Sequence, residues 1–236
     1  LEAGLRSRDR RMPEEINRLL TDRITDIYFV TEQSGIDNLK ADGQPDEKIH
    51  FVGNTMIDTL VGFSEDIEAA PILEELGVNV GEYALLTMHR PRNVDNAASL
   101  EKMIQMITFI GERFPVVFPV HPRTRKRLET FGLEEKFNAI PNMIQSGPMD
   151  YLSFQKLIGS SKVVVTDSGG IQEETTFRQV PCLTIRPNTE RPSTITLGTN
   201  ELLDFDLEVI EDRIVQIEKG TYKKGVVPPL WDGKAT

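Results

Sequence analysis

The residues of this chain best able to do chemistry sit where apolar runs end. Residues 166–174 read TDSGGIQEE, directly after KVVVT, a run with the composition of a strand buried on both faces. Two readings stand on that stretch alone. In one, Gly169 and Gly170 make a tight strand-to-helix turn, Ser168 caps the helix, and the glutamates suit its first turn. In the other, two residues without Cβ let a diphosphate approach the backbone, and the helix aims free N–H groups and a positive dipole end at it. TMHRPRN places His89, Arg90 and Asn93 after another apolar run, FPVHP places His121 after a third, and NTERP brings Glu190 and Arg191 after PCLTIR. A strand-end histidine is ordinarily a hydrogen-bonded core or rim residue, which is the reading for His50 in KIHFVG. The arginine beside it lifts His89 above that reading, and His121 less so.

A second concentration of charge opens the chain, LEAGLRSRDRRMPEEINR. Arg6, Arg8, Arg10 and Arg11 are expected mostly as a solvated loop. Pro13 suits a first helical turn, with Glu14 and Glu15 favourable at its positive end. Glu14 and Arg18 stand four apart, either a surface ion pair or a carboxylate and a cation turned into a cleft. Glu2, ahead of Ala-Gly, is another carboxylate among small residues. Spacing leaves these alternatives open.

The elements that must position these residues alternate strand with helix. IYFV (27–30) and IHFVG (49–53) flank one helical segment. After a break rich in Pro, Gly and acidic residues near 61–80, a second series runs through YALLTMH, PVVFPVH, MIQSG, KVVVTDS and PCLTIR, with amphipathic helices between them. This cadence predicts parallel, doubly wound α/β sheets, whose ligands bind beyond the carboxyl ends of the strands. Residues 1–65 are read as the later part of a first domain, incomplete at its N-terminal side, and 66–236 as a second domain. Burial of both strands before the break on two faces needs neighbours outside residues 1–60, so these residues are expected to form a partial sheet with exposed edges or contacts to another chain. No repeat or low-complexity tract interrupts the series.

Composition bounds the rest. The chain has 236 residues, 39% of them hydrophobic, enough for a packed core. A formal charge of −10 argues against a nucleic-acid or anionic-membrane partner, while leaving room for a single nucleotide held by local arginines. The lone cysteine, Cys182, lies in an apolar run and is read as buried and inert, which fits a cytoplasmic location. No apolar run is long enough to span a bilayer.

EAGLRS, PEEINR, GNTMID, TMHRPRN, TDSGGIQEE and NTERP, in this order, resemble the non-hydrolysing UDP-N-acetylglucosamine 2-epimerases over nearly the whole chain. The resemblance implies two Rossmann-like domains of glycosyltransferase-B type with a nucleotide sugar between them. By it, Ser168, Gly169 and Gly170 hold the UDP diphosphate, and Glu174 accepts the ribose hydroxyls. Phe154 lines the uracil pocket, Arg191 contacts the ligand, and His89 lies near the phosphates. Glu2 and Glu14 are two of the carboxylates that move protons at the sugar, and Arg18 is the cation of the same helix. The implied reaction interconverts UDP-GlcNAc and UDP-ManNAc by eliminating UDP and adding it back, with no nicotinamide, other cofactor or metal. A homodimer is expected.

Two departures qualify the resemblance. Arg92 stands where the family commonly has a glutamate. The family's N-terminal phosphate-contacting residues, a further catalytic aspartate and its final helix have no counterpart in these residues, so the chain is read as a truncated and inactive portion. The alternatives are a hydrolysing epimerase that releases free ManNAc, a glycosyltransferase sharing the nucleotide site, and a non-catalytic nucleotide-sugar-binding fragment. EAGLR and PEEINR, as motifs of the sugar end, speak against the transferase.

Overall fold

Pro13 opens the first helix, as its fixed φ favours, in a computed structural model that describes residues 1–236. This helix, α1 (Pro13–Ile24), is followed by β1 (Tyr28–Val30), α2 (Gln33–Ala41) and β2 (Ile49–Phe51). The two strands pair in parallel, Tyr28 opposite Ile49 and Val30 opposite Phe51. Together they make only a partial sheet, as expected of these residues. Tyr28 and Val30 are buried with Ala3 and Leu39 on the α2 side, whereas Phe29 is 40% exposed and stacks on the exposed His50. A sheet with one layer against it buries one face, so the strand alternates. The arginine loop departs from the solvated place expected of it. Arg6 is buried, 2.6 Å from Asp22 and 2.9 Å from Asp42, and ties α1 to the end of α2.

Three short helices lead on: α3 (Thr55–Gly62), capped by the Asn54 side chain, α4 (Ser64–Ala69) and α5 (Ile72–Leu76), which ends on Gly77 in the left-handed region. The second unit then alternates β3 (Ala84–Thr87), α6 (Pro91–Val94), α7 (Ala97–Gly111), β4 (Val116–Pro119), α8 (Pro122–Thr130), α9 (Glu134–Asn138) and β5 (Met143–Ser146). It continues through α10 (Tyr151–Ser160), β6 (Val163–Thr166), α11 (Gly170–Arg178), β7 (Cys182–Ile185), α12 (Ser193–Thr196), β8 (Asn200–Leu203) and α13 (Leu207–Glu218).

These six strands form one parallel sheet in the order β5-β4-β3-β6-β7-β8. Both faces are covered, as the continuous apolar runs require. Val163 and Val165 of β6 point into a core built with α7 and α13, and Val164 into another built with α10, α11 and α5. Cys182 is fully buried there, and burial pushes its thiol up to about 11. β8 and α13 lie beyond the anticipated series. The mixed polarity of NELL hides the edge strand, where Asn200 accepts from Thr184 (2.6 Å).

The strand order reverses between β3 and β6, the place where open α/β sheets leave a crevice beyond the carboxyl ends of their strands. Around that end the two units meet. α3 packs on α11, α4 and α5 pack on α10, and the Trp231 indole donates to the Thr31 carbonyl (3.0 Å). The anticipated boundary at 65/66 falls within α4, and residues 230–236 return to the first unit, where Asp58 accepts from the N–H groups of Ala235 and Thr236. No helix is long and apolar enough to cross a membrane.

Candidate active site

At the crevice, Asp167 follows β6 and binds the segment that follows β3. Its carboxylate accepts from the backbone N–H groups of His89 (3.1 Å) and Arg90 (2.8 Å) and from the Asn93 amide (3.0 Å). The His89 Nδ1 stands 3.2 Å away, which orients the ring and leaves Nε2 as its free nitrogen. Burial alone would raise the Asp167 carboxyl, but these donors carry it below the ordinary aspartate value. The Arg90 Nε closes the crevice by donating to the Asp167 carbonyl (2.7 Å).

The next residues turn into α11. Gly169 has φ −75°, which any residue adopts, so the glycine pair is not there for a left-handed turn. Nor does Ser168 cap the helix, which begins without a side-chain cap. At both positions the surroundings are close instead. A Cβ on Gly169 would lie 3.2 Å from Arg191 Nη1 and from Glu190 Oε1, and one on Gly170 would lie 3.2 Å from the Met56 methyl. The uncapped start of this helix therefore lies beside the buried Arg191–Glu190 pair.

Arg191 is the centre of that cluster. Its Nε lies 2.5 Å from Glu173, and its Nη1 contacts Glu190. Glu190 also receives Arg186 (3.0 Å) and, from α1 of the first unit, Arg18 at 3.8 Å. Burial works against the Glu190 carboxylate, yet Arg191 and Arg186 hold it down at about 2. Glu173, accepting from Asn54 of the first unit (2.7 Å), is pushed by burial up to about 7 against the pull of Arg191. Its position makes it one of the ties between the units.

Glu2 approaches the same cluster, close enough for its charge to act on both Glu173 and Arg191. It takes φ 55°, a left-handed conformation that costs a non-glycine residue about 1 kcal/mol or more and is held by its surroundings. Those surroundings are a clamp on the next two residues. The Ala3 N–H donates to Phe29 O (3.2 Å), the Gly4 N–H donates to Asp22 (3.1 Å), and Asn38 donates to the Gly4 carbonyl (2.9 Å). Gly4 at φ 78° has its α-carbon against the Gly35 carbonyl, where a Cβ would come within 2.2 Å.

Beside the glycine turn lies a cavity of about 270 Å³ lined by His89, His121, Met149, Phe154, Ser168 and Ile171. The His89 and His121 rings are 5.2 Å apart. His121 also caps α8 through its Nδ1, the structural role a strand-end histidine commonly takes. Apolar side chains and two imidazoles around one cavity suit a planar ring with polar edges.

The anticipated residues thus fall into two groups. His89, Phe154 and Ser168 surround the cavity, while Gly169, Arg191, Arg18 and Glu2 converge on the charged cluster. Glu174 lies one turn into α11, buried and facing α10 rather than the cluster. Glu14 is exposed on α1 and makes neither an ion pair nor a hydrogen bond, so the Glu14–Arg18 pair does not form. Its neighbour Glu15 is the buried one, bonded to Ser7 and Arg8. Arg92 reaches Asp204 (3.4 Å) at the surface. Sequence reasoning assigned no role to Asp167, Glu173, Glu190, Arg186 or Asn54. Each lies inside or beside a quoted motif, but charge inside a motif does not say which carboxylate is buried against which arginine.

Comparison with known proteins agrees over the whole length. A model of the family described as UDP-N-acetylglucosamine 2-epimerase matches residues 1–236. The UDP-N-acetylglucosamine 2-epimerase of Methanocaldococcus jannaschii is 41% identical over 241 residues, covering 100% of this chain and 65% of that protein. The UDP-2,3-diacetamido-2,3-dideoxy-D-glucuronate 2-epimerase of Pseudomonas aeruginosa is 40% identical over 213 residues, covering 89% of this chain and 57% of that protein. Among solved structures, the M. jannaschii enzyme in complex with UDP-GlcNAc and UDP superposes with a TM-score of 0.87 at 36% identity, over 100% of this chain and 65% of that one. The chain therefore spans about three fifths of the length of the curated relatives it matches. Its fold is the Rossmann-like, glycosyltransferase-B type α/β arrangement of those structures. The chain belongs to the UDP-N-acetylglucosamine 2-epimerase family.

Proposed function

We propose that the protein binds a UDP-activated 2-acetamido sugar between its two units and inverts C2, interconverting UDP-GlcNAc and UDP-ManNAc. One observation carries this reading: the glycine turn with its uncapped helix start lies against Arg191, and Glu2 and Arg18 reach that arginine cluster from the opposite unit. UDP is held by residues of the second domain, 66–236. The first turn of α11, Ser168 to Gly170, takes the diphosphate, Phe154 flanks the uracil, and Glu174 accepts the ribose hydroxyls. His89, oriented by Asp167, and Arg191 stabilise charge on the diphosphate as the C1–O bond breaks. Residues 1–65, the first domain, supply Glu2 and Glu14 as the carboxylates that remove the weakly acidic C2 proton and return it. Loss of that proton and of UDP leaves a glycal; return of a proton to the opposite face of C2, with UDP re-added to the original face of C1, gives the epimer.

Incubation with UDP-GlcNAc, followed by NMR, tests the reading. UDP-ManNAc supports epimerisation, free ManNAc with UDP points to the hydrolysing alternative, and transfer to an added acceptor to the glycosyltransferase. Binding without turnover points to a nucleotide-sugar-binding fragment. Relatives of equal identity act on different sugars by name, so the 2,3-diacetamido uronate is the second substrate to test. For the nucleotide end, Glu174→Ala should weaken UDP binding by about 1.5–3 kcal/mol, read by calorimetry. A cytoplasmic homodimer completes the proposal, and sedimentation mass tests it.

A further inference from the structure

A cavity of about 520 Å³ opens where residues 9–12 of the first unit face the residues that follow β3 and β7. Arg11, Arg90, Arg92 and Arg186 line it, against a single carboxylate, Asp9. Asp9 is satisfied already, because Arg11 holds both its oxygens at 2.9 Å. The other three guanidiniums are not matched one for one. Arg92 meets Asp204 only at the surface (3.4 Å). Arg90 spends its Nε on a carbonyl, that of Asp167, and its guanidinium pairs with no carboxylate. Arg186, 3% exposed, gives Nη2 to Glu190 (3.0 Å) and leaves Nη1 without a partner. Glu190 is shared with Arg191 and Arg18, so it does not neutralise Arg186 alone. Burial lowers the Arg186 guanidinium from its ordinary value, and the like charge of Arg90 acts the same way against the pull of Glu190.

The chemistry that suits such a lining is narrow. A guanidinium donates and never accepts, so a group held by Arg90 and Arg186 must be an acceptor, and a negative one offsets their repulsion. The two coplanar oxygens of a carboxylate match the planar fork of arginine. The diphosphate is not that group, since none of Ser168, Gly169 and Gly170 lines the cavity. Yet the two places adjoin. Arg186 Nη1 lies 3.6 Å from where a Cβ on Gly169 would stand, so Arg186 separates the cavity from the start of α11. Asn93, also in the lining, donates to Asp167, which orients His89. The cavity around Phe154 shares no lining residue with this one and is the base's by the reading above, which leaves the arginine cavity to the sugar.

We propose that the arginine cavity is a subsite for the C6 carboxylate of a uronic acid nucleotide sugar, with Arg90 and Arg186 as its ligands and Arg92 at its exposed edge. This rests on the reading of the α11 start as the diphosphate site, and it names the class of sugar that site serves best. C5, which carries the carboxylate, lies across the pyranose ring from C2, so the anion is recognised without touching the reacting atoms. A hydroxymethyl group in the same place leaves both guanidiniums without a charge partner, and a neutral sugar binds more weakly on that account.

The test compares UDP-N-acetylglucosaminuronate with UDP-GlcNAc by calorimetry on the full chain. The uronate should bind roughly tenfold more tightly or better, as a charge-assisted contact provides, and the preference should shrink as salt is raised. Arg186→Gln keeps a donor toward Glu190, removes the charge and should abolish most of the preference. Because Arg186 also braces Glu190, the second variant is Arg92→Glu at an exposed position, which should reduce the preference while UDP-GlcNAc binding stays nearly unchanged. No preference in the unaltered chain, or a preference that either variant leaves untouched, would overturn the inference and leave the nucleotide-sugar reading standing. Failure to bind either nucleotide would overturn that reading and the inference with it. Inorganic phosphate and glucuronate, each added alone, separate the sources of the anion. Saturable binding of either that Arg186→Gln abolishes, with no preference for the uronate nucleotide, would assign the cavity to a free anion and overturn the inference.

Discussion

The two units of this chain solve the same problem with unequal means. The second closes six parallel strands between two helical layers, so that β6 and β7 are buried at every position. The first has two strands, a small cluster around Tyr28 and Leu39, and an outer row with Phe29 and His50 exposed. Its order comes instead from charge: Arg6 between Asp22 and Asp42, and Glu15 under Ser7 and Arg8. The contrast teaches a division of labour. A platform with two cores can hold a buried Asp167 and a crowded glycine turn in place. A lighter unit, tied across the seam by Asn54 to Glu173, Ser193 to Glu32, and Trp231 to Thr31, can carry strained or exposed carboxylates toward that platform.

The sharpest way to break this division is to cross it. In the full-length protein, Glu2→Gln and Glu14→Gln should each lower turnover roughly 10²–10⁴-fold while leaving UDP affinity nearly unchanged, read by NMR and calorimetry on the same samples. Product formed in heavy water should carry deuterium at C2. Retention of the original hydrogen would remove the elimination route, and lost UDP affinity in the glutamine variants would remove the division.

Next in size is Asp167→Asn, which puts an amide among four donors and should cost about 3 kcal/mol or more in denaturant unfolding. The pH dependence has a definite sign. The folded carboxyl titrates below the ordinary value of 3.8, so its stabilisation is complete above the unfolded value and is lost as pH falls through the folded one. The asparagine variant should lack that acid-side loss. Leu183→Ala, in the larger core, should cost about 2–5 kcal/mol in the same assay.

Asn54→Ala removes both the α3 cap and a seam bond and leaves Glu173 with one buried oxygen unpaired, for about 2–4 kcal/mol. Hydrogen exchange should accelerate in α3 and β2 and stay slow in β6 and β7; uniform acceleration would mean the units open as one. The smallest effect is expected at Phe29→Ala, within about 0.5 kcal/mol, since that side chain is already 40% exposed. A cost near that of Leu183→Ala would show that the outer row of the first sheet is covered in solution.

Much of the second unit was readable because its strands are short apolar runs bounded by polar turns, a pattern that strand burial on both faces imposes locally. β8 escaped because an edge strand with Asn200 and Glu201 has no such pattern. The first unit was readable as a partial sheet, but not residue by residue. IYFV looks like KVVVT, and only the number of layers packed on it decides that Phe29 stays exposed. At the candidate site, the glycine pair, His89 and Arg191 stood out by their place at strand ends, whereas Asp167 was quoted inside a motif without a role.

What the sequence determined by itself is whatever depends on neighbours along the chain: the alternation of strand and helix, Pro13 at a helix start, and two residues without Cβ where β6 ends. It also ordered the motifs well enough to indicate a family. Tertiary structure decided which charges meet. Arg18 reaches Glu190 rather than Glu14, Glu173 rather than Glu174 ties the units through Asn54, and Gly169, whose φ any residue could adopt, lies close against Arg191. Pairings of this kind are set by desolvation and distance between segments far apart in the chain, and local composition carries no record of either.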